Sequence, residues 1–301
     1  MLLHDFFETI YLPLKLRNRS DNTVRLYRYS IRCFEETLGR PATLEDLTDT
    51  QVSMHLARLV ADKRSPYTVN KERSQLLAIW SFAARKRYVE AFPDVEPEVA
   101  PKRAPLAWLE SDMRRLVQAC HDQTGYYDGI PAATWWIAIH EVCWDTAERI
   151  GAIRQLTWEH LNSDGWLIVP AELRKGKRED KCFLLGPDTL GTLQAISLPE
   201  RRLIFPWPFS TTYLYHVYRK ILRRAGLPTD SRSKFHRLRR TAASYYEAAG
   251  GNATDLLGHA NRETTKRYLD PRIVKQKQPS EVLFRLEGVA HHGINRSRSG
   301  T

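Results

Sequence analysis

Three residue types that together handle phosphate lie close in sequence. His236-Arg237-Leu238-Arg239-Arg240-Thr241 sets a histidine and an arginine three residues apart, a spacing that puts both on one face of a helix. Leu256-Leu257-Gly258-His259 follows, and Tyr268 lies nine residues beyond His259. Arginine's planar fork matches two oxygens of a phosphate. Histidine exchanges protons near neutral pH. Tyrosine attacks covalently once a neighbour activates its hydroxyl, whose ordinary pKa is about 10. The set is therefore suited to phosphoryl transfer through a tyrosine. Each member also has a plainer reading. Tyr268 is one of 13 tyrosines, and His236 with Arg239 is also what the polar face of a surface helix looks like. Arg149 sits in an apolar context and needs a partner there; Glu148 or Asp145 is the nearest ion-pair candidate.

The charge points the same way. The chain of 301 residues carries 46 Lys and Arg against 35 Asp and Glu, a formal charge of +11. Residues 1–100 hold 15 basic and 14 acidic side chains, whereas residues 101–301 hold 31 and 21. Residues 219–240 carry nine basic side chains and one acid, Asp230. Such clustering, with aromatics interleaved, favours a polyanionic partner, nucleic acid first. The length suits two domains. Four dispersed cysteines with no CxxC pair argue against a disulfide framework or a structural zinc site, and suit a reducing compartment. No apolar run approaches the ~18 residues of a membrane span, and acids stand where a secretory signal would be basic. His291-His292, a lone pair near the end, does not make a metal site.

Helices and a hairpin must position the candidate residues. Ser20-Asp21-Asn22 has N-cap chemistry, and Val24, Tyr27, Ile31, Phe34 and Leu38 form one stripe before Gly39 and Pro41. A second helix begins near Thr50, with Val52, Leu56 and Leu59 inward. Ser65-Pro66 opens a third, with Val69, Leu76, Trp80, Ala83 and Tyr88 inward. Four prolines within residues 92–105 break regular structure and mark a linker. Beyond it, Ser111 or Asp112 caps a helix through Cys120. Residues 134–156 are apolar enough for one or two buried helices, with Trp135-Trp136 in the core, and Tyr245-Tyr246 is placed there too. Residues 165–170 and 182–185 read as a β-hairpin with a basic tip, residues 174–178. From Thr211 onward the chain is mostly helical, broken at Gly226 and at Gly250-Gly251.

These residues and motifs resemble the tyrosine recombinase (phage integrase) family. Its HxxR motif falls on His236 and Arg239, its LLGH motif on Leu256-Leu257-Gly258-His259, and its nucleophile, nine residues later, on Tyr268. Its first arginine, in a TGLRISELLxLxWxDI pattern, falls on Arg149 within residues 146–161. Its lysine, on a hairpin tip, falls on Lys175, with Lys177 the other candidate. The resemblance implies a fold that is mainly α in two domains. A helical core-binding domain (1–91) and a linker (92–105) precede an α+β catalytic domain with a small β-hairpin (106–290) and a flexible tail (291–301). It implies a site-specific recombinase or integrase of a mobile element, working without cofactor, metal or ATP. Tyr268 would attack a DNA phosphate, leaving a 3′-phosphotyrosyl bond. Arg149 and Arg239 would stabilise the non-bridging oxygens, Lys175 would protonate the leaving oxygen, His236 would assist at the tyrosine, and His259 would hydrogen-bond the phosphate.

The implied partners are double-stranded DNA, gripped by both domains as a clamp, and other copies of the chain, as a tetramer on two DNA sites. Residues 282–286 are an apolar segment that could dock on a neighbour. The implied location is cytoplasmic, on the nucleoid, with no membrane. Two departures bear on activity. The family's acid three residues after the first arginine is Ala152 here, and its glycine two before is Ala147. Glu148 is the nearest replacement acid, but on a continuous helix it faces elsewhere. A topoisomerase of type IB, or a DNA-binding protein that has lost catalysis, are the alternatives.

Overall fold

The computed structural model describes residues 1–274, apart from Lys175, Lys177, Arg178 and Pro199. Residues 282–286 and the tail from 291 lie outside the described residues. The chain divides into two compact units, Met1–Lys102 and Arg103–Thr301.

The first unit is helical. α1 (Leu3–Phe6) runs on into a π-helical stretch, Phe7–Leu16, that contains Pro13. Proline has no N–H and clashes one turn back in an α-helix, and the wider π turn accommodates it. α2 (Asp21–Leu38) starts where Ser20 accepts from the Thr23 N–H and ends at Gly39 with φ of 71°. α3 (Asp49–Ala61) is capped by Thr48 and α4 (Pro66–Arg85) by Ser65, with Pro66 in the first turn. Ile31, Phe34, Val52, Leu76, Ile79 and Trp80 close the core. Tyr88 departs from the expected stripe. α4 stops at Arg85, Arg87 takes a φ of 60°, and Tyr88 is left 44% exposed with its ring edge on Phe6.

The proline-rich segment is not a free tether. It lies along α4, where Trp80 Nε1 donates to the Ala91 carbonyl (2.7 Å), Arg73 Nε to the Val95 carbonyl (2.7 Å), and Asn70 pairs with both backbone groups of Glu98. Prolines forbid regular structure, and side chains of a neighbouring helix satisfy the backbone instead.

In the second unit, α5 (Glu110–His121) starts one residue before the expected cap, with the Asp112 carboxylate accepting from the Leu109 N–H. A two-residue pair, β1 (Tyr126–Tyr127) with β2 (Ile130–Pro131), follows. α6 (Ala132–Thr146) is the buried centre, and α7 (Ile150–Ile153) is a single turn after it. β3 (Trp166–Val169) and β4 (Lys181–Leu184) form the expected antiparallel hairpin, Trp166 opposite Leu184 and Val169 opposite Lys181. α8 (Pro187–Ile196) and α9 (Thr211–Arg224) precede α10 (Phe235–Ala248), α11 (Ala253–Leu257) and α12 (Arg262–Lys266). Trp136 of α6 stacks on Tyr218 of α9 and Phe235 of α10, at interplanar angles of 9° and 11°, which fixes α10 against the core. Arg237, on the opposite face of α10 from the candidate site, lies 3.6 Å over the Trp108 ring. The basic run 219–240 is thus not one surface, since Arg237 and Arg239 are both interior. Tyr245-Tyr246 is not core: Tyr246 is 48% exposed.

Two buried histidines make the fold acid-sensitive. His55 in the first unit and His140 in the second are both held to about 4 by burial. The unfolded chain binds these protons below its ordinary pKa near 6.5, while the native state does not until about 4. Stability therefore falls as pH drops through that window. At pH 5 each should cost on the order of 2 kcal/mol relative to pH 7. Thermal unfolding midpoints should accordingly drop by several degrees between pH 7 and 5; a flat profile would contradict this.

Candidate active site

Arg239 is the anchor. Projecting from α10, it is 1% exposed, and its donors are placed by backbone carbonyls. Nη1 donates to the Ala147 carbonyl and Nη2 to the Leu257 carbonyl (2.8 Å). Its Nε–H has no partner among the described residues. The guanidinium carbon sits 5.9 Å from the centre of the Tyr268 ring. A guanidinium fixed by two backbone carbonyls beside a tyrosine is preorganised to stabilise an anion formed there. Burial pulls its pKa down from the usual arginine range, with the Arg149 charge adding to the effect.

The two carbonyls explain two motifs. α6 ends at Thr146, and Ala147 after it takes a left-handed conformation, φ 48° and ψ 23°. Glycine adopts that geometry without strain, which is the physical content of the glycine in the family pattern. The turn delivers the Ala147 carbonyl to Arg239 and Arg149 to the start of α7. Among the described residues the Arg149 guanidinium has no hydrogen bond or ion pair, and the Asp145 carboxylate accepts instead from the Gly186 N–H. At the other side, Leu257 buries its side chain against Ala147, Ala242, Ala243 and Ala253 while its carbonyl meets Arg239. Gly258, φ 62°, then reverses the chain, and His259 emerges beside Tyr268.

Tyr268 follows α12 and is fixed by its backbone. Its N–H donates to Thr265 (2.7 Å), and Ser244 Oγ of α10 donates to its carbonyl (3.3 Å). Asp270, fully buried, accepts from the Ala107 N–H (2.7 Å) and pairs with Arg272, so the segment is closed on both sides. The ring centre is 5.0 Å from that of His236 and 4.8 Å from that of His259. His259 Nδ1 is 3.0 Å from Thr265 Oγ1. Desolvation pushes both imidazoles down to about 4; the charges of Arg240, Arg239 and Arg149 add to it at His236, and those of Arg239 and Arg149 at His259. Both rings are therefore neutral at pH 7 without an anion, and a bound phosphate would raise both toward the range useful for proton transfer.

Five of the six expected residues converge in the second unit: Arg149, His236, Arg239, His259 and Tyr268. The sixth, Lys175, lies outside the described residues, as does Lys177. Sequence reasoning turned one member away and missed another. Glu148 is 2% exposed and faces the site, because α6 ends before it. Its carboxylate receives Arg174 Nε (2.7 Å) and approaches Arg239 Nη1 (3.5 Å), while also accepting from the Arg149 backbone N–H (3.0 Å). Arg174, expected only as part of a basic tip, is 9% exposed, and its Nη2 lies 2.5 Å from where a Cβ on Gly258 would sit. Gly258→Ala would therefore combine left-handed strain with displacement of a pinned guanidinium. A destabilisation of about 1–2 kcal/mol is expected in urea unfolding; an unchanged midpoint would contradict the packing.

Among the described residues, no group of three or more His, Cys, Asp and Glu side chains could hold a metal ion. No helix among them is long and apolar enough to cross a membrane.

Comparison with known proteins places this arrangement. Residues 108–273, more than half of the chain, match the family described as the phage integrase family. A Pseudomonas syringae protein described as tyrosine recombinase XerC is 27% identical, the match covering 83% of this chain and 58% of that protein. The chain thus spans under two thirds of that relative's length. The fold is that of a lambda integrase dimer bound to a COC′ core site, with a TM-score of 0.69 at 20% identity over 92% of this chain and 99% of the other. It is likewise that of the Tn1549 transposon integrase in complex with circular intermediate DNA, with a TM-score of 0.68 at 14% identity over 89% and 95%. By its sequence match over the segment that carries all five converging residues, this chain belongs to the phage integrase family.

Proposed function

We propose that this chain breaks and rejoins double-stranded DNA at specific sites through a covalent bond to Tyr268. The observation that carries the reading is the seating of the Tyr268 ring against the rings of His236 and His259, with the Arg239 guanidinium carbon 5.9 Å from its centre. The Tyr268 hydroxyl attacks a DNA phosphorus and its proton passes to His236. The bond from phosphorus to the 5′-oxygen breaks, leaving a 3′-phosphotyrosyl link and a free 5′-hydroxyl. Arg149 and Arg239 offset the charge on the non-bridging oxygens, a contribution of about 2.7–4 kcal/mol per donor in comparable sites. His259 hydrogen-bonds the phosphate, and Lys175, next in the chain after Arg174, supplies the proton to the leaving oxygen. The covalent link conserves the energy of the phosphodiester, so rejoining needs neither ATP nor metal.

The first unit, near-neutral over its length, contacts the duplex through a few placed side chains. Recombination joins two duplexes, so several copies act together. A lambda integrase tetramer bound to a Holliday junction, of the same fold at 19% identity and a TM-score of 0.68, supports a tetramer. Presence on cytoplasmic DNA follows from this reading. The contact of Glu148 with Arg239 supports catalysis over a DNA-binding protein that has lost it, despite Ala152. The test is a set of nicked duplex substrates, from which the short fragment bearing the free 5′-hydroxyl diffuses away. The expected product is a covalent protein–DNA complex that survives denaturant in the presence of chelator. Absence of any such complex, with DNA binding intact, would overturn the reading.

A further inference from the structure

One buried carboxylate joins the guanidinium groups of two arginines from different segments and the backbone of a third. Glu148 takes Arg174 at Oε1 (2.7 Å) and holds Arg239 (3.5 Å) and the Arg149 backbone (3.0 Å) at Oε2. Arg174 and Arg239 are 9% and 1% exposed. Two buried cations this close repel strongly unless a fixed anion lies between them. The position where the family pattern has an acid is a methyl here, since Ala152 is 2% exposed in the core. Arg174 also sets the depth of the Gly258 turn, because its guanidinium fills the space where a Cβ would go. Its Nη1 donates to the Glu179 carbonyl (3.1 Å), so the far side of the hairpin connection is tied to the same point.

We propose that Glu148 is the positioning residue of the phosphate site, replacing the acid missing at Ala152, and that Arg174 is its partner, coupling the root of the β3–β4 hairpin to Arg239. Glu148 holds the Arg239 guanidinium through Nη1. Arg174 fixes the start of the segment that carries Lys175 to the same carboxylate. The inference rests on the reading of this site as one that binds phosphate.

Charge alone and positioning predict opposite results for Glu148→Gln. Removing the carboxylate makes the site more positive by one charge, which by itself tightens anion binding. Loss of positioning weakens it. The probe is orthophosphate, titrated into the full chain and followed through the His236 and His259 ring signals by NMR. Glu148→Gln should bind orthophosphate about tenfold to a hundredfold more weakly than wild type, and Glu148→Asp should recover part of the loss. Should Glu148→Gln not fold by thermal unfolding, Arg174→Lys serves instead. It keeps the buried charge but not the Nε donor, and should also weaken binding severalfold. Equal or tighter phosphate binding by the folded variants would overturn the inference, as would a wild type that binds no orthophosphate. Covalent complex formation on nicked DNA separates this from the broader reading. A wild type that forms none sinks the recombinase assignment, while the phosphate contrast still tests Glu148. A wild type that forms it, with Glu148→Gln equally active, sinks only the role of Glu148.

Discussion

Tyr268→Phe should abolish covalent linkage to DNA while leaving the fold and DNA affinity in place. Nothing among the described residues hydrogen-bonds the Tyr268 hydroxyl. Its position is fixed instead by backbone contacts to Thr265 and Ser244 and by the rings of His236 and His259. A phenyl ring keeps all of these. What disappears is the nucleophile, and loss of a nucleophile typically lowers rate by far more than a thousandfold. The measurement is covalent complex on a nicked duplex beside a binding isotherm and a thermal melt. Residual covalent complex at even a tenth of the wild-type level would mean that another group attacks. The binding isotherm should weaken steeply with added salt in both proteins, because contacts to the DNA backbone release counterions.

Arg239→Lys is the second large effect, and it falls on chemistry and stability together. The guanidinium reaches the carbonyls of Ala147 and Leu257 at once, with its carbon 5.9 Å from the centre of the Tyr268 ring. An ammonium is a point donor on a flexible stem and cannot span both carbonyls with the same geometry. One buried carbonyl is then left unpaired, at about 1–3 kcal/mol. Cleavage should fall by about a hundredfold to a thousandfold, the range seen when one transition-state donor is removed. The charge is retained, so DNA affinity should change little. A cleavage rate within threefold of wild type would show that Arg239 supports the fold without acting on phosphate.

Much of this site was legible because its residues are locally encoded. The i, i+3 spacing of His236 and Arg239 needs only a helix, and α10 provides it. Leu257 and Gly258 advertise a buried helix end followed by a left-handed turn. The caps at Ser20 and Ser65 and the stop at Gly39 are likewise read from single residues. Glu148 was misjudged for a specific reason. Reading α6 on through Arg149 turns Glu148 away, yet α6 ends at Thr146 because Ala147 adopts a left-handed conformation without being glycine. No alanine announces that in sequence. Arg174 was hidden differently. In sequence it is one of several basic residues at a hairpin tip, and only the meeting of the hairpin root with the Gly258 turn makes it interior. The π-helical stretch around Pro13 has the same character: the proline is visible, but the accommodation comes from packing.

The most direct test is to find the atom that carries the DNA. Wild-type protein is trapped on a nicked duplex, digested with protease, and the peptide bearing the nucleotide is sequenced by mass spectrometry. A 3′-linked nucleotide on the tyrosine of the peptide Thr264-Thr265-Lys266-Arg267-Tyr268-Leu269, with a free 5′-hydroxyl on the other fragment, is the predicted result. An adduct on any other residue, or a 5′-linked one, would contradict the account at its centre.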